Sequence, residues 1–240
     1  MGFAGAIGGK LITPINKVWP ALFLLGCVIL GGAHAAFSAD MIVLYYLDHD
    51  PGAPAYTSRI LITPQFLRMD DGRDESDFIL LKRKTGVLTN VLHSMKTNMR
   101  IRNKPLPGSA RPAWKVEERV EEIRPGTRRV TVQVNGKVCS QTVAAEKLLP
   151  EAAKALAEYK AALAWTQYRT YENTEPDMRQ DCDLVHYVWN TGLALSHGLP
   201  LEERDYAGRS RQLEKQGTEK LRRGLFRLPT GYAVINATQE

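Results

Sequence analysis

Arg129-Val130-Thr131-Val132-Gln133-Val134-Asn135-Gly136-Lys137-Val138-Cys139 is the stretch on which the fold reading turns. Three valines alternate with polar residues, the period-2 pattern of a strand with one buried and one wet face. Asn135-Gly136 then predicts a type I′ hairpin, because that turn needs positive φ at both central positions. Lys137 to Val143 returns as the partner strand and places Cys139 in it.

Upstream of this hairpin the chain reads as more of the same. Met41 to Leu47 is a continuous apolar and aromatic run, as expected of a strand buried on both faces. In Tyr56 to Thr63, Ser58, Ile60 and Ile62 share one face and Arg59 and Leu61 the other. Gln65 to Met69 runs into the turn signal Asp70-Asp71-Gly72, and Phe78 to Lys82 pairs with Val87 to His93 across Lys84-Thr85-Gly86. Met95, Thr97, Met99 and Ile101 alternate with charged or polar residues, Asn103 to Pro112 is a proline-rich loop, and Trp114 to Ile123 is a further strand.

Downstream the composition changes. Glu146 to Thr170 is rich in Ala, Leu, Lys and Glu, with Leu156, Tyr159 and Leu163 at helical spacing. Asp181 to Ser196 reads as a second helix, stopped by Gly198-Leu199-Pro200, and the tail from Leu201 to Ala237 regains strand character. The expected fold is therefore α+β. A strongly curved antiparallel sheet, or open β-barrel, of nine or ten strands holds the helical segment 146–197 as a plug or lid.

The N-terminus sets the expected compartment. Lys10 and Lys17 precede an uncharged run from Val18 to Ser38, and Ala33-His34-Ala35 fits a small-x-small cleavage site. Residues 1–35 read as a signal peptide, forming an N-terminal signal helix, and residues 36–240 as one domain. The alternative is a retained inner-membrane anchor over 18–38, whose 21 residues suffice for one span. The expected location is periplasmic, with membrane contact only through the N-terminal segment if it stays uncleaved. Loss of Lys10 and Lys17 lowers the net charge from +6 to +4, and Lys82-Arg83-Lys84 and Arg222-Arg223 lack the interleaved aromatics of a nucleic-acid groove. No nucleic-acid partner is expected, and the two basic clusters read as solvated strand ends. With Cys27 removed, Cys139 and Cys182 remain as an even pair, most simply a disulfide in an oxidising compartment. Closing its loop contributes roughly 3–4 kcal/mol in the chain-entropy picture.

Few residues suggest chemistry. Cys182 and His186 sit one helical turn apart beside Asp181 and Asp183, but a closed zinc site wants four ligands. His49 lies between Asp48 and Asp50 without a nucleophile at a recognisable elbow. Asp70 to Asp77 holds five carboxylates without EF-hand order, and reads as a solvated hairpin loop. No Gly-rich phosphate loop, HExxH or GxSxG occurs. No catalytic residue, metal or cofactor is expected. Tyr46, Phe66, Met69, Phe78, Met95 and Met99, with Tyr45, are available to line an apolar cavity, and serve equally well as plain core.

Ser58 to Gly72, with its continuation Asp77 to Leu88, resembles the opening of a domain of the outer-membrane lipoprotein carrier (LolA-like) superfamily. Asn135-Gly136-Lys137-Val138-Cys139 resembles a strand entry in an uncharacterised branch of that superfamily. Gly198-Leu199-Pro200 and Leu225-Phe226-Arg227-Leu228-Pro229-Thr230-Gly231-Tyr232 resemble its closing pair of strands. The resemblance implies an open barrel covered by helices whose interior holds a lipid or a lipoprotein acyl chain. It transfers no binding residue, and the block 146–197 is longer than a simple lid. The function expected is that of a non-enzymatic envelope protein binding a lipid or lipidated ligand. The alternative is an interaction or stress-sensing protein with a solid core and an envelope protein partner.

Overall fold

The alternation seen in the sequence becomes two differently covered faces of one sheet. A computed structural model describes residues 40–108 and 111–237; the signal or anchor segment and Cys27 lie outside the described residues. The strands are β1 (Asp40–His49), β2 (Tyr56–Ile62), β3 (Phe66–Asp70), β4 (Phe78–Lys82), β5 (Val87–Leu92) and β6 (Thr97–Ile101), then β7 (Val116–Arg124), β8 (Thr127–Val134) and β9 (Lys137–Ala145). Helices α1 (Pro150–Asn173) and α2 (Asp181–Leu184) follow, then β10 (Leu199–Asp205), β11 (Ser210–Lys220) and β12 (Ala233–Asn236). The sheet order is β12-β6-β5-β4-β3-β2-β1-β11-β10-β9-β8-β7. The architecture is thus α+β with one open, curved, mostly antiparallel sheet. Register shifts at Tyr45/Tyr46, Glu122/Arg124, Val132/Gln133 and Pro200/Glu202 add local bend and twist.

β12 departs from the antiparallel expectation and pairs parallel with β6. The chain leaving β11 does not turn back in a hairpin. It crosses the sheet over residues 221–232 and reaches the far edge, and a crossover of that length permits parallel pairing. Asn135 (φ 49°) and Gly136 (φ 85°) adopt the positive φ values that the hairpin between β8 and β9 requires.

On one face Leu44, Tyr46, Ile60, Ile62, Leu67, Leu81 and Leu88 pack against Ala152, Ala155, Leu156 and Ala162 of α1. Alanines on the contact stripe bring the helix close to the sheet, and Tyr159 and Leu163 complete the row at its half-buried rim. On the other face Met41, Val43, Leu61, Phe78, Leu80 and Val91 lie under the crossing tail, chiefly Leu225 and Phe226. The Phe66 and Phe226 rings stack with centroids 6.1 Å apart. β1 is therefore buried on both sides, as its unbroken apolar run suggests.

The second helix is shorter than its sequence suggests. α2 gives way to a π-helical turn, Val185–Trp189, a break at Asn190, and a 3₁₀ turn, Ala194–His197. The Cys139–Cys182 disulfide pins the start of this segment to β9 with Cα atoms 5.1 Å apart. Gly192 then passes close to α1, where a Cβ would meet that of Ala157 at 3.7 Å. Gly198 has φ +127°, and a Cβ there would stand 2.2 Å from the Ala145 carbonyl oxygen, so the chain enters β10 only through glycine.

Charged residues lock the tail down. Arg59 and Arg68, 3% and 2% exposed, converge on Asp70. Arg59 donates to both Asp70 oxygens at 2.8 Å, and Arg68 Nε donates to Oδ2 at 2.6 Å. Arg68 also donates to the Leu225 carbonyl at 2.8 Å and lies 3.9 Å over the Phe78 ring. The Asp70–Asp77 loop is therefore not simply solvated: Asp70 is buried, Asp74 pairs with Arg59 and Arg222, and Asp77 accepts from the His93 backbone N–H. In the basic clusters Lys82, Lys84, Arg222 and Arg223 are exposed as expected, and Arg83 alone departs. Arg83 is drawn in to Glu158 at 2.6 Å and to the Thr63 carbonyl at 2.9 Å, tying α1 to the sheet.

Replacing Asp70 with Asn leaves the buried Arg68 without a carboxylate and Arg59 with Asp74 alone. The expected loss in urea unfolding is about 3–5 kcal/mol, with proteolysis of the tail beyond Lys220 as its first sign. A loss below about 1 kcal/mol, the level of an exposed pair, would refute the structural role given to this network.

Candidate functional site

Where β1 meets β11 and β10, the apolar helix-facing side of the sheet turns ionic. Asp48 on β1 stands opposite Arg211 on β11, and Arg211 opposite Glu203 on β10, so one rung carries alternating charges toward the helices. The next strand presents Thr142 opposite Glu203. Above the rung, α1 supplies Lys160 and the π-helical turn supplies His186 and Tyr187. Together these residues border an opening of about 190 Å³.

The contacts are specific. Arg211 meets Asp48 in a fork, Nε to Oδ1 at 2.8 Å and Nη2 to Oδ2 at 3.2 Å, and lies 4.7 Å over the Tyr46 ring. Lys160 Nζ donates to Glu203 Oε1 at 3.0 Å. Deeper along the wall, Asp205 accepts from Arg209 Nε at 2.6 Å and from the Tyr187 hydroxyl at 3.3 Å. Tyr46 donates to the Pro200 carbonyl at 2.9 Å, and burial pushes its phenol up, so it stays a donor.

The electrostatics follow from desolvation set against close charges. Burial, and after it the charge of Lys160, pushes the His186 imidazole down to about 4, so it is neutral at ordinary pH. Burial pushes Glu203 up, but Lys160 and Arg211 outweigh it and hold the carboxyl at about 2. Burial also disfavours the charge on Arg211, and the carboxylates of Glu203 and Asp48 more than restore it.

The residues singled out from sequence are distributed differently. Cys139 and Cys182 form the expected disulfide. It fixes the turn that carries His186, four residues beyond Cys182, and it neighbours Ser140 on the pocket wall. Asp183 does not face His186; it accepts from the Tyr206 hydroxyl at 2.7 Å. Among the described residues no cluster of His, Cys, Asp and Glu could hold a metal ion. His49 and Asp48 are adjacent in a strand and point to opposite faces. Asp48 joins the pocket, while His49 lines a second hollow of about 310 Å³ with Arg129, Gln141 and Gln212, which shares Glu203, Arg204, Ser210 and Arg211 with the pocket. Asp50 also borders the pocket and accepts from the Tyr56 hydroxyl.

The six residues read as cavity lining or plain core do not share a cavity, because the sheet separates them. Tyr46 and Met69 belong to the helix-facing core, and Phe66 and Phe78 to the tail-covered face. Met95 sits in a turn and is 67% exposed. Met99 lies on β6 between Asn90 and Ile235, and Tyr45 is half-buried on the tail side. Met69 and Phe78 both border a shallow depression by the strand ends, in the company of Asp70 and Asp77. Lys160, Glu203 and Arg211 escaped the sequence reading, since each is an ordinary surface residue type drawn from a different element. A signal did exist: Asp48 shares a strand face with the apolar Leu44 and Tyr46.

No family model matches the chain, and no curated protein matches it. Among solved structures, PNGF-II in a C2 crystal form aligns with 83% of this chain and 31% of its own, at 10% identity and a TM-score of 0.40. PNGF-II in a P21 form gives 83%, 32%, 9% and 0.37. The chain thus spans about a third of the length of these structures, and so slight a likeness carries no argument about function. Among the described residues no helix is long and apolar enough to cross a membrane.

Acid should weaken the fold in two steps. The unfolded chain protonates His186 near its ordinary 6.5, the folded chain only near 4, so stability falls as pH drops from 6.5 to 4. Glu203 acts in the same direction between its ordinary 4.5 and about 2. Melting temperatures across this range should slope downward with acid, and His186→Gln should flatten the upper step alone. An unchanged slope in that variant, or a His186 imidazole resonance titrating near 6.5, would contradict this electrostatic account.

Proposed function

We propose that this chain is a non-enzymatic binding protein of the cell envelope whose ligand is a small polar molecule held at the Asp48–Arg211–Glu203–Lys160 pocket. One observation carries the reading. The helix-facing side of the sheet, where an acyl chain would lie, is packed with Ala152, Ala155, Leu156 and Ala162, while the opening beside it is lined by charge. At about 190 Å³ that opening is also smaller than the roughly 300–1,000 Å³ typical of drug-sized ligands.

Export is supported by the disulfide and by the charge-flanked apolar segment before residue 36. The LolA-like resemblance supports the envelope setting and the open sheet, and on this reading the domain has exchanged a lipid interior for a solid core. The enzyme alternative has less support, because the candidate pairs His49/Asp48 and His186/Asp183 do not come together.

The experiment is export from a bacterial host, gentle purification and native mass spectrometry, with N-terminal sequencing of the same material. The expected result is a chain beginning at Ala36, free of bound lipid and taking up none when fatty acids or lipopeptides are added. One equivalent of co-purified lipid would overturn the proposal, and a chain that is never exported would overturn its envelope setting.

A further inference from the structure

The charge pattern of the pocket identifies what kind of polar molecule it takes. Its walls are balanced. Asp48, Glu203 and Asp205 face Arg211, Lys160 and Arg209, each of these acids paired with one of these bases, and Asp50 and Arg204 add one further charge of each sign. A lone anion or a lone cation entering this half-buried space would leave an unpaired charge, whose desolvation a paired wall repays poorly. A molecule bearing both signs adds none.

The pairs also keep unused capacity. A guanidinium has five N–H donors, and Asp48 takes two of those on Arg211. An ammonium has three, and Glu203 takes one of those on Lys160. On the acidic side, Glu203 holds Lys160 through Oε1, and each Asp48 oxygen accepts one bond from Arg211 although it has room for a second. Asp48, Arg211 and Glu203 succeed one another on neighbouring strands, about 4.8 Å apart. That spacing presents a donor-rich cation between two carboxylates to a compact ligand.

Resting on the reading of this pocket as a binding site, we propose that it receives a small zwitterion of the amino-acid class. The ligand carboxylate is held by Arg211 and Lys160, and its ammonium by Glu203 and Asp48. His186, neutral and half-buried in the lining, adds a hydrogen bond without upsetting the charge balance. Asp205 is excluded from ligand contact, because its four acceptor positions are taken by Ala207 and Arg209 backbone N–H groups, the Arg209 side chain and Tyr187.

The test is calorimetric titration of the purified chain with L-alanine, with acetate, methylammonium and inorganic phosphate as single-charge probes. Alanine should bind at least about tenfold more tightly than any of these, since a lost charge-assisted contact is worth that factor or more. Lys160→Met and Glu203→Gln should each weaken alanine binding by about tenfold or more, measured well below the melting temperature, which both variants lower by removing one partner of the pair. Arg73→Ala, on an exposed loop, should leave binding unchanged. Phosphate or acetate binding as well as alanine would replace the zwitterion with an anion, and methylammonium doing so would replace it with a cation. No heat with any probe, or alanine binding that survives both pocket variants, would overturn the inference as well. Each of these results leaves the polar-ligand reading standing, whereas a bound lipid would remove both.

Discussion

Burial of β1–β5 on both faces is the constraint from which the rest of the structure follows. A two-sided apolar sheet cannot stand in water, and each of its faces demands a cover. The chain supplies two very different ones. On one side α1 lays an alanine stripe close against the strands, and on the other an irregular tail spreads Leu225, Phe226 and Tyr232 over them. The irregular cover has few backbone hydrogen bonds of its own, which explains why the Arg59–Asp70–Arg68 network reaches it through the Leu225 carbonyl. Buried ion pairs add little net stability compared with apolar packing. Their role here is positional, because they give a segment without regular structure one place to lie.

The same reasoning accounts for the pocket. The helix-facing side of the sheet is apolar until Tyr46, and two residues further along β1 it becomes Asp48. Beyond that point α1 is no longer held by packing alone. Lys160 and Glu203 join the helix to β10, as Arg83 and Glu158 join it to the β4 end. The disulfide pins the neighbouring turn, so His186 is presented to the ionic rung by a covalent constraint and not by helix propensity. A π-helical turn at this point is consistent with such a role, since these turns occur often at functional sites.

Local rules were legible in the sequence where they act alone. Asn135-Gly136 specified its hairpin, the period-2 pattern of β2 and β8 specified their faces, and two cysteines specified one bridge. Gly198 marked a stop, and the structure adds the reason, a backbone crossing too close for any side chain. What escaped were outcomes of assembly. The Asp181–Ser196 helix was broken by a covalent tether and a close approach to Ala157, neither of which has a periodic signature. Arg83 and Asp70 looked like surface charges because their partners lie on other elements. The pocket was invisible for the same reason: its residues run from 48 to 211 and meet only when β10 and β11 enter the middle of the sheet. Composition leaves the aromatic and methionine positions open between cavity and core, because it cannot say on which side of a strand a residue falls.

The place of β11 in that order has a consequence for how the molecule is made. β1 opens the sheet, yet its outer neighbour β11 arrives some 160 residues later, with Asp40 registered against Lys220. Until Ser210–Lys220 is in place, the most apolar strand has one open edge and no tail above it. Such long sequence separation favours slow closure and a persistently unfinished intermediate. A polypeptide delivered N-terminus first would remain loose until Ser210–Lys220 and the segment that covers the sheet had followed.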